Sequence, residues 1–215
     1  MGSILTATVS VYLVMFLGLA LATRGFVGES FWPAAQKLNY FVFLPVLFAH
    51  TLATAELGGL RVVGLILGVV VTLAIGGLAV GLWQNRTDGR HDLTPAVIEG
   101  ALRANVPLGL TIAFVLAGSA GLTLFVVAAA IYLPSVIIIG AVAAERTARR
   151  EDADAEGVYD DDEVETPLAA AARLSIRNPI IIGAAAGVAL NITGAGLSGS
   201  VGSTMQAVGL AALPF

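Results

Sequence analysis

Apolar residues fall in long, nearly unbroken runs along this chain, and the polar positions between them come in short clusters. That pattern predicts membrane-length helices joined by brief loops, since each run approaches the roughly 20 residues needed to cross a hydrocarbon core of about 30 Å. Spans are predicted over residues 5–22, 38–55, 62–83, 96–116, 122–143 and 179–192, and a seventh starts near Thr204. The sixth is short. Pro179 suits its first helical position, and Arg173 with Arg177 fit an interfacial lead-in helix before it.

A second pattern overlies the first. Gly18, Ala20, Leu21, Gly25, Leu44 and Pro45 recur as Gly187, Ala189, Leu190, Gly194, Leu213 and Pro214, each pair 169 positions apart. Two copies of one membrane unit account for this spacing. With five spans per unit, an odd number, the second copy is expected inverted relative to the first. It breaks off at Phe215, just after its Leu-Pro, so the chain reads as a C-terminally truncated form with about seven helices. The expected division is a first five-helix repeat over 1–144, an acidic cytoplasmic linker over 145–167 and the incomplete start of the second repeat over 168–215.

Composition excludes a soluble domain. Hydrophobic residues make up 57% and charged residues 12% of the chain, against about 25% charged in soluble proteins, and the mean hydropathy is +0.90. Cysteine is absent, which removes disulfides and thiolate metal sites. The formal charge of −4 is local in origin, because ten of the fifteen acidic residues lie between Glu145 and Glu165. That block, including Asp160, Asp161, Asp162 and Glu163, reads as solvated charge; it lacks the glycine turn and ligand spacing of a calcium loop. Basic residues cluster in alternate loops: Arg24 and Lys37, then Arg86 and Arg90, then Arg146, Arg149, Arg150, Arg173 and Arg177. Those loops are expected to be cytoplasmic, which puts the amino terminus outside. Abundant Arg, Ala and Gly beside scarce Lys point to a bacterial inner membrane.

Candidate chemistry concentrates in span 4, where Arg103, Asn105 and Pro107 interrupt GALRANVPLGLTIAF. Pro107 lacks an amide hydrogen and clashes with the preceding turn, so a break near Arg103 is expected. Broken helices survive in membranes where they are buried by protein or line a cavity, and in carriers their ends hold ions and substrate groups. Asn105 offers donors there for a carboxylate or carbonyl; the alternative is a packing kink with a locally satisfied amide. Arg103 has two roles open to it, contact with an anionic substrate or snorkelling and pairing with Glu99 at i,i+4. Asn39 at the start of span 2 faces the same cavity or acts as an interfacial cap. Pro45 and Pro214, equivalent in the two copies, are read as helix breaks, and Pro134 with Tyr132 and Ser135 as packing. His50 and His91 have no ligand partners at metal spacing, so no metal and no cofactor is expected. The spans carry no carboxylate dyad, Ser/His set or zinc cluster, so an enzyme is not expected either.

With NYFVFLPVL (Asn39 to Leu47), GALRANVPLG (Gly100 to Gly109) and NPIIIGAAAGVALN (Asn178 to Asn191) in view, the chain resembles the auxin efflux carrier family in its bacterial form over nearly its whole length. Arg103 and Asn105 followed by Leu108 and Gly109 carry the likeness best, supported by Asn178 and Pro179. The resemblance implies an all-α, inverted-repeat five-plus-five helix transporter fold, related to bile-acid symporters and sodium/proton antiporters. It implies a secondary carrier or permease for small organic anions by alternating access. By the same likeness Asn105 contacts substrate where helices 4 and 9 cross and Pro107 marks the break, while helix 9 lies beyond this chain. The rival readings are a sodium-coupled bile-acid-type symporter and a non-transporting membrane receptor. Expected partners are a carboxylate substrate and the bilayer, with room for a homodimer and none for nucleic acid.

Overall fold

The computed structural model describes residues 2–57, 60–84, 86, 97, 100–154, 166–197 and 199–213, and every regular element among them is helical. In chain order these are α1 (Gly2–Thr23), α2 (Phe31–Leu38), a π-helical segment (Asn39–Phe43), α3 (Leu44–Thr54), α4 (Leu60–Gln84), α5 (Val106–Asp154), α6 (Pro167–Arg177), α7 (Pro179–Thr193) and α8 (Gly199–Leu210). Two stretches, Val62–Trp83 and Gly100–Glu145, are long and apolar enough to cross a membrane, and a third qualifies if the pair meeting at Asn178 counts as one span. The protein is therefore all-helical with membrane-spanning character. Large apolar side chains stand exposed on α1 (Leu13, Phe16, Leu17) and on α4 (Leu67, Ile75, Leu78), as lipid-facing positions do.

Helix α5 is two helices joined by a sharp reversal. Ala117 (φ −140°, ψ 18°) and Gly118 (φ 58°, ψ −143°) leave helical geometry, and the second conformation is one that only glycine adopts readily. A Cβ added at Gly109 would strike the Phe125 ring, and one at Gly121 would strike the Ala113 carbonyl. Both pairs, 109 with 125 and 113 with 121, are centred on residue 117, which is the register of a tight antiparallel hairpin. The turn falls between the predicted spans 4 and 5. The returning arm runs on to Asp154, so residues 145–154, expected to belong to a linker, continue the helix; residues 155–165 lie outside the described residues.

Contacts divide the chain into two compact units, one made of Met1–Val62, Asn105–Ala130 and Pro179–Phe215, the other of Val63–Ala104 and Ile131–Asn178. The first is organised on α3, where Leu44, Leu47, Phe48 and Leu52 are buried against α7 and α8. Glycine makes this approach close: a Cβ at Gly183 would meet the Pro45 carbonyl, one at Gly187 the backbone of Ala49, and one at Gly209 the Leu47 backbone. The α7 partners advance with the α3 partners, 183 with 45 and 187 with 49, so α3 and α7 run parallel. In the second unit, Val80, Leu102 and Ala143 form a small core covered by Val97, Val136 and Ile139. Gly76 lies against the Leu102 side chain there.

Gly25 and Gly194, 169 positions apart, end their helices alike. Gly25 holds φ 63° after α1 and Gly194 holds φ 64° after α7. Their amides donate to the carbonyls three residues back, Ala22 at 3.1 Å and Asn191 at 3.2 Å. These are left-handed C-terminal caps, which glycine supplies without steric cost. Ahead of the two Leu-Pro pairs the backbone differs. Before Pro45 the helix opens, with the Leu44 amide donating to the Asn39 carbonyl five residues back. Before Pro214, itself outside the described residues, it tightens into three-residue bonds from Ala212 to Gly209 and from Leu213 to Leu210.

Candidate functional site

The span 4 break forms where the sequence places it. Gly100, Ala101 and Leu102 are helical, Arg103, Ala104 and Asn105 are not, and the short arm of α5 begins at Val106. Asn105 starts that arm as an N-cap: its Oδ1 accepts from the Leu108 amide at 3.1 Å, and its carbonyl takes the Gly109 amide at 3.0 Å. Pro107, the second residue of the arm, has no N–H to leave unsatisfied and its fixed φ suits the first turn. The break thus comes from two neighbouring choices, a capping amide and a proline, and the proline sits inside the new helix rather than in the gap. Val106 and Leu110 are buried and anchor the arm, while Asn105 is exposed.

The cap consumes only the oxygen of the Asn105 amide. Its NH2 group and the Val106 N–H remain as donors at the positive end of the helix dipole, equivalent to roughly half an elementary charge. One turn on, the Thr111 hydroxyl lies 3.0 Å from the carbonyl of Pro107 and 3.0 Å from that of Leu213, which fastens the arm to the residue before Pro214. Within the second unit, the Ala104 amide donates to the Tyr132 hydroxyl at 3.1 Å, so an N–H released by the break is taken up by a side chain. Arg103 is exposed in the gap, and Glu99, its expected partner, lies outside the described residues.

Asn39 and Pro45 come together in the other irregular segment. Pro45 has no N–H for the Phe41 carbonyl and its ring crowds that turn, and the π-helical register of Asn39–Phe43 widens the backbone there. Asn39 itself is helical (φ −59°, ψ −48°) in the middle of a continuous run from α2, so it caps no helix end. It is 5% exposed, and its Oδ1 has no hydrogen-bond partner. Such an oxygen accepts from whatever donor reaches it, because leaving it bare costs about 1–3 kcal/mol.

The sequence-derived residues therefore gather into two pairs, Asn105 with Pro107 in the cap and Asn39 with Pro45 in the π turn. No hydrogen bond among the described residues joins one pair to the other. Tyr132, Thr111 and Asn191 carry polar bonds that the sequence reading did not assign. Asn191 donates through Nδ2 to the carbonyls of Leu52 (2.9 Å), Ala53 (3.2 Å) and Ala55 (2.8 Å) at the end of α3. Only Asn191 had a signal available, being a lone amide in an otherwise apolar helix. Among the described residues no three His, Asp or Glu side chains group as metal ligands would. Comparison with protein-family models, with curated proteins and with solved structures finds no match to this chain.

Proposed function

We propose that the protein is a secondary carrier that moves small organic anions across a membrane by alternating access. The observation that carries the reading is the broken fourth span, with Asn105 capping a half-helix whose remaining donors are its own NH2 group and the Val106 amide. A carboxylate docked there meets two neutral donors and the positive end of a helix dipole without a buried arginine opposite it. Pro107 makes the half-helix a permanent feature, since a continuous helix through residues 103–107 would lose a backbone bond and clash with the proline ring. The parallel direction of α3 and α7 fits an even step in crossing number between spans 2 and 6, which the hairpin at Ala117 and Gly118 supplies.

The test is uptake of radiolabelled mono- and dicarboxylates into vesicles containing the protein. Asn105→Ala is expected to cut uptake at least about tenfold, the cost of one to two lost donor bonds to a charged group. Full uptake by that variant removes the site assignment. Uptake that requires sodium moves the reading to a bile-acid-type symporter, and saturable binding without flux moves it to a receptor.

A further inference from the structure

We propose that the π-helical turn is a register switch in span 2: the helix exchanges between the present form, with Asn39 on the buried face, and an α-helical form in which α2 turns by about 100° about its axis and Tyr40 takes that place. Helix runs without interruption from α2 through the π segment into α3. One extra residue in that turn therefore decides which side chains upstream of Leu44 face inward, where the π segment meets α7 and α8. Leu44, Phe48 and Leu52 form the buried stripe of α3 at four-residue steps, 3%, 0% and 1% exposed. An unbroken α-helix would continue that stripe to Tyr40, four residues before Leu44. Tyr40 is instead 37% exposed, and Asn39, five residues before Leu44, is 5% exposed.

Each form carries a cost that the other lacks. In the π form the Leu44 amide donates to the Asn39 carbonyl rather than to that of Tyr40, and Pro45 has no N–H to offer the Tyr40 carbonyl in its place. The amide that the turn brings inside keeps an Oδ1 without a hydrogen-bond partner. In return Pro45 falls in the first turn of α3, where a missing N–H leaves nothing unsatisfied. In the α form the Leu44 amide returns to Tyr40 and the Asn39 side chain leaves the buried face, but Pro45 then stands in a helix interior against the Phe41 carbonyl. A buried unpaired acceptor and an interior proline cost amounts of the same order, and a net gap of that order leaves the minor form populated at roughly 0.1–10%. Helix α2 has no buried residue of its own to withdraw, and it joins α1 through the non-helical residues 24–30, which absorb the rotation. A donor that reaches the Asn39 Oδ1 holds the π form, so docking at the turn sets the direction in which α2 faces.

The chain has no cysteine, so thiol probes attach only where a cysteine is introduced. A trifluoromethyl tag on Gln36→Cys, read by fluorine NMR of the intact protein in detergent, is expected to reveal a second, minor form by saturation transfer. Pro45→Ala removes the reason for the π turn and is expected to raise the population of that form at least about tenfold. Asn39→Leu places an apolar side chain on the buried face and is expected to lower it at least about tenfold. Nitroxides on Gln36→Cys and Ile182→Cys, both at exposed positions of the same unit, read the rotation itself. The main distance in P45A is expected to differ from that in N39L by roughly 8 Å, the displacement that a 100° turn gives on a helix about 10–12 Å across. A single resonance without saturation transfer in the protein tagged at Gln36 alone overturns the proposal, and so does the same distance in P45A and N39L. If P45A does not fold, the saturation-transfer result decides by itself. Neither readout involves transport, so the outcome is independent of the carrier reading.

Discussion

The Nδ2 of Asn191 lies 2.8 Å from the carbonyl oxygen of Ala55, and the same nitrogen reaches the carbonyls of Leu52 and Ala53. One amide from α7 thus collects the open end of α3, whose last carbonyls have no intrahelical partner. The same helix brings Gly183 and Gly187 against Pro45 and Ala49, so three residues four apart form a continuous seam of small side chains and one polar clasp.

Replacing Asn191 with alanine is expected to cost about 1 kcal/mol, within the range found for interhelical polar bonds in membranes. Asn191→Asp is expected to cost more, because a carboxylate faces three carbonyl oxygens and donates to none of them. Thermal unfolding in detergent checks both, and an unaltered midpoint in the aspartate variant would rule out the clasp.

The glycine seam makes a sharper demand. At Gly183 an added methyl group meets the Pro45 backbone, which has no flexible end to give, whereas at Gly77 on α4 it meets open space. Gly183→Ala is expected to destabilise by about 1–3 kcal/mol through overpacking. Gly77→Ala is expected to be neutral or slightly stabilising, since alanine is the better helix former. Equal unfolding midpoints for the two variants would count against the parallel packing of α3 and α7.

Gly118 tests the hairpin. Its φ of 58° with ψ of −143° is a conformation that a side chain strains by roughly 1–3 kcal/mol. Gly118→Ala is expected to lower the unfolding midpoint and the yield of folded protein, while Gly140→Ala, at an open position on the long arm, is expected to leave both in place. A Gly118→Ala variant as stable as the original would mean that α5 runs straight through.

Several of these features are legible in the sequence. The break at residues 103–105 could be read because an amide and a proline interrupt an apolar run, and the reversal at Ala117 and Gly118 because spans 4 and 5 together exceed one membrane crossing. The continuation of α5 to Asp154 was missed for a physical reason: charge excludes a segment from lipid but not from a helix, and AERTARREDAD is rich in good helix formers. The π turn was hidden because Pro45 announces an irregularity without saying whether the helix opens or tightens. The segments before Pro45 and Pro214 take opposite courses. Tyr132 carried no signal at all, since one tyrosine in an apolar helix is ordinarily packing and its bond to the Ala104 amide depends on a break elsewhere in the chain.

Asn39 separates a structural amide from a ligand-binding one. Its Oδ1 is buried without a donor in a helix that the π turn has already widened. If the oxygen serves only the fold, leucine of similar size should be neutral or stabilising by up to about 1 kcal/mol, because an unsatisfied buried acceptor is replaced by apolar atoms. The same substitution removes an acceptor for any substrate or water that docks at the turn. The expected outcome for Asn39→Leu is an unfolding midpoint equal to or above that of the original protein, together with uptake reduced about tenfold or more. A variant that unfolds earlier shows that the oxygen has a structural partner, and one that keeps both stability and uptake removes Asn39 from the site. Stability retained while transport is lost is the one combination that packing alone does not produce.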